Sequence, residues 1–469
     1  MPSVTPDRNP LSSVSGRLRL RSHVIETLRL APAIVLARSG IVIMILVDTI
    51  IVGRHNSTEL GYFAIGNSIV QPIIVTSLGL ILGTLVLTAN HYGAGNYNEC
   101  GKIWRRSVHY SVWLGLIGLI TCLFGEVILN FAGQSPELSS EGARVIRVIG
   151  WGLPAHLVFL ASSFFLEGIG RVIPGAICMI VANIVNLILA IVLVDGSVWN
   201  PALGAEGAAW ATTLARWVLA VGMVLYILLM QDHYKFEVRI GQTGGFSKWR
   251  HQRRLGYAMG LSLAVETLAF SIMQQFAGWL GASELAAFAI AFQLLTISFM
   301  VAIGVGSATA VRVGNAFGRG ETEDVALAGW TGLAISMVTN GLIGIFIVIF
   351  AEPITGVFTQ DVAVIALTVP LILWVAIAVV TDGGQAVVAN ALRGRQDVWV
   401  ACIIQGLTFL GLMVPLTWFF AYPLGNGAIG LFQGVFIAAT LSILLLGFRF
   451  RYLYRFERNP KFDPNKELF

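Results

Sequence analysis

Long apolar runs recur along this chain and leave few folds open to it. Twelve can be read, near 32–53, 62–90, 107–131, 145–166, 172–194, 205–230, 257–280, 286–314, 327–351, 363–390, 398–421 and 428–448. A helix rises about 1.5 Å per residue, so roughly 20 apolar residues cross the ~30 Å hydrocarbon core of a bilayer. Inside hydrocarbon every backbone N–H and C=O must be paired by the chain itself, which only helices and closed barrels achieve. Barrel strands are short and alternate in polarity, whereas these runs are long and unbroken. The expected fold is all-α and integral to the membrane, with twelve transmembrane helices. Composition agrees: 12% of residues are charged and 56% hydrophobic, far from the roughly 25% charge of soluble domains. The basic, mixed stretch SGRLRLRSHVIETLRL shows no short apolar core with a small-residue cleavage site, so a signal peptide is not expected.

Basic residues set the orientation. Arg17, Arg19 and Arg21 precede the first run, and Lys102, Arg105 and Arg106 lie between the second and third. Lys235, Arg239, Lys248, Arg250, Arg253 and Arg254 fill the central loop, and Arg449, Arg451, Arg455 and Arg458 follow the last run. The intervening loops carry Glu137, Glu141, Asp195, Glu206, Glu284, Glu352 and Asp361, with Arg54, Arg144 and Arg147 as exceptions. This alternation places both termini in the cytoplasm, in the cytoplasmic (inner) membrane. The net charge of +5 is then topological and suits anionic lipid headgroups; no nucleic-acid partner is expected.

The chain also repeats itself. STELGYFAIGNS matches ASELAAFAIAFQ at a shift of about 225 positions. The same shift aligns Gly53 with Gly278, Gly79 with Gly304, Thr84 with Thr309, Asn90 with Asn315, Gly93 with Gly318 and Gly95 with Gly320. Further on, LEGIG near 166–170 falls against LRGRQ near 392–396. Both copies start after an odd span, so the repeats are parallel and predict two pseudo-symmetric six-helix bundles about an axis along the membrane normal. The expected division is an N-terminal cytoplasmic segment 1–24, an N-bundle 25–230, a linker 231–256, a C-bundle 257–448 and a cytoplasmic tail 449–469. Two such bundles rocking about a shared cavity are the physical basis of alternating access.

Three carboxylates lie within apolar segments: Asp48, Glu266 and Asp382. A charge at the bilayer centre costs about 2.5–3.5 kcal/mol on insertion scales, and such residues face cavities, pair or bind ions. Two carboxylates in one low-dielectric cavity cannot both stay ionised without a cation. Gln275, Gln385 and Asn390 are candidate neutral oxygen ligands, with interhelical hydrogen bonding as the competing role. Asn183 and Asn186 share a helix face at i, i+3 and are candidates for a proton or cation site in the N-bundle, against a generic helix-to-helix hydrogen-bonding pair. Tyr62, Phe276, Phe288 and Trp374 are candidates to stack on flat cations, and Met273, Gln274, Gln275 and Gln385 to line the same cavity, against lipid contact or packing. Gly383 and Gly384 are candidate hinges in the tenth helix, as is Pro32 in the first. The four cysteines have no CxxC spacing and the seven histidines no HxH or HxxxH pair, so no disulfide or transition-metal site is expected. No GxxxxGK[ST] is present, and no nucleophile–base pair marks an enzyme.

VDTIIVG at 47–53, ANHYGAGN at 89–96, NIVNLILA at 183–190, GAEGAAWAT at 204–212, the Glu266 helix, RVGNAFGRGE at 312–321 and TDGGQAVVANALRGRQD at 381–397 together resemble the multidrug and toxic compound extrusion transporters, in their bacterial NorM-like branch. The resemblance covers nearly all of the chain after residue 25. It implies an antiporter, not an enzyme, expelling cationic or amphipathic drugs against inward Na+ or H+, with no other cofactor and as a monomer. It assigns Asp48, Asn186 and Thr212 to a proton or cation site in the N-bundle, and Glu266 and Asp382 to a C-bundle pair that would bind Na+ if sodium couples transport. Ala190 departs from the pattern, since many relatives carry Asp or Asn there. The alternative is a lipid-linked oligosaccharide flippase of the related superfamily, which needs basic cavity residues; Arg38 in the first helix is the one that favours it.

Overall fold

The computed structural model describes residues 16–196, 201–239 and 243–457, with no side chains for 16–18 or 246. Residues 1–15 of the expected N-terminal segment, the Arg17 side chain, linker residues 240–242 and the tail from Arg458 onward lie outside the described residues.

Twelve spanning segments follow the apolar runs: α1 (Gly16–His55), α2 (Ser57–Gly93), α3 (Tyr97–Leu123), α4 (Pro136–Trp151 with Leu153–Gly168), α5 (Ile173–Val194), α6 (Gly204–Leu229), α7 (Arg250–Leu280), α8 (Ala282–Gly318), α9 (Thr322–Ile349), α10 (Val362–Gly394), α11 (Val398–Ala421) and α12 (Gly427–Glu457). Breaks have local causes. The halves of α4 meet at 41° where Gly152 precedes Pro154, and proline supplies no N–H to continue a ladder. α11 carries a π-helical turn over Leu407–Met413, just before Pro415. α10, by contrast, runs unbroken through the expected hinge at Gly383 and Gly384. A Cβ at Gly383 would lie 2.5 Å from the Asn340 amide and one at Gly384 2.9 Å from Ile443, so these glycines serve close helix packing. Gly95 and Gly320 end α2 and α8 in equivalent left-handed turns, φ +77° and +74°.

The repeat is exact enough in space to be read from contacts. Glu59 accepts a hydrogen bond from the Ala205 N–H at the start of α6 (2.8 Å), and its equivalent Glu284 accepts one from Ala428 N–H at the start of α12 (2.9 Å). Each thereby satisfies an orphan donor of a helix N-terminus with a negative charge. The bundles then meet reciprocally. A Cβ on Gly79 of α2 would collide with Gly260 of α7 at 2.6 Å, and one on Gly304 of α8 with Val35 of α1 at 2.3 Å. Gly93 and Gly318 sit against the Asn315 and Asn90 carbonyl oxygens in the same crossed fashion.

All of these inter-bundle contacts lie toward the end that carries the basic loops. There α1 also reaches across: Arg19 pairs with Asp324 and Glu323, and His23 lies between Arg312 (3.0 Å) and Asp324 (3.6 Å). One hydrophobic core unites Leu85, Val86 and Phe165 with Leu255, Val305 and Val311. Toward the other end the cores separate, one around Val52, Phe63 and Ile146 and one around Met273, Phe288 and Phe432. The two bundles are therefore joined at the basic end and carry separate cores toward the other.

Substituting Gly318 by valine places methyl groups against the Asn90 backbone, where overpacking costs about 1–3 kcal/mol. The thermal midpoint of the detergent-solubilised protein is expected to fall, whereas Gly341→Ala, with open space around it, leaves it unchanged or raises it.

Candidate functional site

The N-bundle places Asp48 of α1, Asn186 of α5 and Thr212 of α6 together, all buried. Asn186 Nδ2 donates to Asp48 Oδ1 (3.1 Å) and, more weakly, to Thr212 Oγ1 (3.4 Å), while the Thr212 hydroxyl donates to Asp48 Oδ2. Asn186 Oδ1 remains buried without a partner. Ala190, one turn along α5, is completely buried and adds only a methyl group. One turn beyond Thr212 on α6, buried Arg216 lies within electrostatic reach of Asp48. Asp48 is thus held by two neutral donors and faced by an internal cation. Asn183 does not join the cluster; its amide donates to Met179 O of its own helix at 2.9 Å.

A second buried pair stands nearer the basic end. Arg38 Nη2 donates to Glu167 Oε1 at 2.8 Å, Ser163 Oγ donates to the same oxygen, and the guanidinium lies 4.7 Å from the Phe164 ring centroid. The basic residue that favoured a flippase is therefore neutralised inside the N-bundle, not displayed to a cavity.

In the C-bundle, Glu266 of α7 and Asp382 of α10 are both buried and interact electrostatically. Gln385, one turn from Asp382, donates to its Oδ1 at 3.4 Å. Gln405 of α11 donates to Gln385 Oε1 (3.2 Å), and its own Oε1 accepts from Arg393 Nη2 (3.2 Å). Arg393 Nη1 donates to Asn390 Oδ1 (3.4 Å), and the guanidinium lies within electrostatic reach of Glu266. Asp382 and the Arg393 guanidinium are thus joined by a chain of amides, and buried Glu266 lies within electrostatic reach of both. Gln385 and Asn390 belong to this network; Gln275 and Gln274 are on the exposed part of α7.

Of the two roles weighed for the aromatic candidates, packing describes most of them. Met273, Phe276 and Phe288 are packed in the C-bundle core, Phe288 against Phe292 and Phe432. Half-buried Trp374 lies beside Phe436. Tyr62 is half-buried, donating to Glu137 Oε1 (2.8 Å) at the rim of a polar hollow of about 270 Å³ lined by His55, Glu59, Glu141 and Arg144. Large rings fill core volume whenever a helix face is buried, and sequence spacing does not tell that face from a cavity wall. Arg393, Gln405, Arg216 and Glu167 were not anticipated. The match of LEGIG with LRGRQ was the available signal, because it sets Glu167 against Arg393.

Breaking a buried ion pair strands a charge at a cost of about 3–5 kcal/mol, whereas replacing both partners by apolar groups is often neutral. Glu167→Leu is therefore expected to lower the thermal midpoint sharply, and Arg38→Met with Glu167→Leu to restore most of it in a double-mutant cycle.

The comparisons with known proteins agree with this architecture. A family model described as MatE matches residues 33–192 and again 258–419, once in each bundle. A probable multidrug resistance protein NorM of Caulobacter vibrioides is 35% identical over 92% of this chain and 92% of its own. A MOP superfamily transporter from Pyrococcus furiosus, described by the reverse polarity of its binding pocket, superposes with a TM-score of 0.86 at 18% identity, covering 95% of this chain and 99% of that one. An outward-facing multidrug resistance MATE family transporter gives 0.85 at 19% identity over 94% and 99% of the two chains. The chain belongs to the MatE family, as a NorM-like member of the multidrug and toxic compound extrusion transporters.

Proposed function

We propose that this protein is a cation-coupled antiporter of the bacterial inner membrane that exports organic cations and drugs by alternating access between its two bundles. The observation that carries the reading is the burial of Glu266 and Asp382 within electrostatic range of each other at membrane depth. Such a pair keeps both charges only when a cation compensates them, and otherwise takes up a proton. An inorganic cation, a proton or a cationic drug satisfies it equally well, so occupancy by one opposes occupancy by another. That opposition is exchange. The resistance-protein name of the Caulobacter relative supports drugs as the cargo.

Asp48 is the second acid, already hydrogen-bonded by Asn186 and Thr212 and faced by Arg216. With a resident guanidinium beside it and a methyl group at Ala190, it fits a proton better than a sodium ion. With basic loops on the cytoplasmic side, the joined end of the bundles faces the cytoplasm and both termini are cytoplasmic. Fold likeness does not separate exporter from flippase, since the Pyrococcus transporter shares the architecture with reversed pocket polarity. Polarity favours export: Arg38 is paired and buried, while the C-bundle holds two acids to one base.

Ethidium efflux in energised vesicles, under separate sodium and proton gradients, tests this. Glu266→Gln and Asp382→Asn are each expected to reduce coupled efflux about ten- to a hundredfold, the span of ordinary coupling free energies. Asp48→Asn is expected to remove the response to a pH gradient. Unchanged efflux in all three variants would sink the mechanism, and flux driven by pH alone and insensitive to sodium would exclude sodium coupling.

A further inference from the structure

Each bundle carries opposite buried charges on its first and fourth helices, but with the signs exchanged. In the N-bundle the base, Arg38, is on α1 and the acid, Glu167, on α4. In the C-bundle the acid, Glu266, is on α7 and the base, Arg393, on α10. The equivalence of Glu167 and Arg393 holds in space as well as in sequence. The glycine after Glu167, Gly168, packs on Thr88, and the glycine after Arg393, Gly394, packs on Val313, which is the repeat partner of Thr88.

The pairs differ in how firmly they are closed. Arg38 donates directly to its acid at 2.8 Å, with Ser163 and Phe164 holding the pair. Arg393 instead donates to two neutral amide oxygens, Gln405 Oε1 at 3.2 Å and Asn390 Oδ1 at 3.4 Å, long for a guanidinium. Guanidinium groups bind carboxylates more strongly, by short charge-assisted and commonly bidentate bonds. A buried Arg393 held by weaker neutral acceptors, within electrostatic reach of Glu266 and linked through Gln405 and Gln385 to Asp382, has two competing sets of acceptors.

We propose that Arg393 is the internal competing cation of the C-bundle: it weakens the hold of Glu266 and Asp382 on any exchanged cation, and the Gln405–Gln385–Asn390 amides set how strongly it competes. This inference rests on the reading of Glu266 and Asp382 as the exchange site. Arginine stays protonated at every physiological pH, so the competition is constant and does not titrate away. A site with two acids and no such competitor holds its cargo tightly and releases it slowly. Arg393 is a positioning residue in this scheme, acting on the acids and not on the drug.

Ethidium binding to the purified full-length protein, with efflux kinetics in proteoliposomes, tests it. Arg393→Gln is expected to tighten ethidium binding about tenfold or more, the scale of one partly screened charge interaction, and to lower KM and kcat together. Arg393→Lys, which keeps the charge and loses the planar fork, is expected to bind ethidium within about threefold of the parent. Gln405→Leu, which removes the acceptor that holds the guanidinium away from the acids, is expected to weaken binding. A purely structural Arg393 predicts that Lys and Gln fail alike, with no gain in affinity in either, and that result overturns the proposal. If Arg393→Gln does not fold, Gln405→Leu decides: unchanged or tighter binding overturns it and weaker binding supports it. Glu266→Gln separates the two readings. Unchanged ethidium binding in that variant removes the exchange site itself, whereas weakened binding there without tightening in Arg393→Gln removes only the role of Arg393.

Discussion

A charge that cannot reach water must be answered from within the chain, and this rule arranges the interior of the protein. Taking an ion from water into a low-dielectric interior costs several kcal/mol even after relaxation. Each buried charge described above sits accordingly among partners. Asp48 has an amide, a hydroxyl and Arg216; Glu167 has Arg38 and Ser163; Asp382 has Gln385; Arg393 has Gln405 and Asn390. The partners come from different helices, so these groups also fix which helices of a bundle stand together. Where acid and base meet directly, as at Arg38 and Glu167, the result is a brace. At Glu266 and Asp382 two acids lie within electrostatic range of each other and of one guanidinium, and the proposed exchange rests on that excess of acid.

The frame that holds these groups depends on close backbone approach. Where Gly79 meets Gly260 and Gly304 meets Val35, a side chain larger than hydrogen on either glycine would part the bundles. Hydrogen bonds cross the same seam, from Gln252 Nε2 to Ser107 Oγ (2.6 Å), from Asn90 Nδ2 to Gly394 O (2.9 Å) and from Gln396 Nε2 to Asn90 Oδ1 (3.1 Å). The Arg19 and His23 contacts of α1 with Asp324 add a polar seam at the same end.

Much of the architecture was legible in the sequence, because hydrocarbon allows few ways to satisfy a backbone. The twelve apolar runs became the twelve spans, with helices overrunning the apolar limits at their wetted ends, as α1 does from Gly16 and α12 to Glu457. The grouping of Asp48 with Asn186 and Thr212, and of Glu266 with Asp382, came from family resemblance; no periodicity reveals a meeting of residues more than a hundred positions apart. The aromatic residues were not legible, since Phe288 in a core and a phenylalanine on a cavity wall obey the same helical spacing. Arg393 and Glu167 escaped notice for another reason. Each stands at the end of an apolar run, where a charge ordinarily reaches the interface, and only the fold shows that these two do not.

The crossed contacts of Gly93 with Asn315 and of Gly318 with Asn90 have a historical meaning. A surface patch that meets its own copy is the signature of a two-fold homodimer, and here both copies point the same way through the membrane. A six-helix ancestor able to pair with itself in one orientation would have had such an interface before any fusion. In that dimer the positions of Glu167 and Arg393 were one position, bearing one residue type. The exchange of sign between them therefore postdates the duplication, which is what freed the two halves to carry opposite charges at one position.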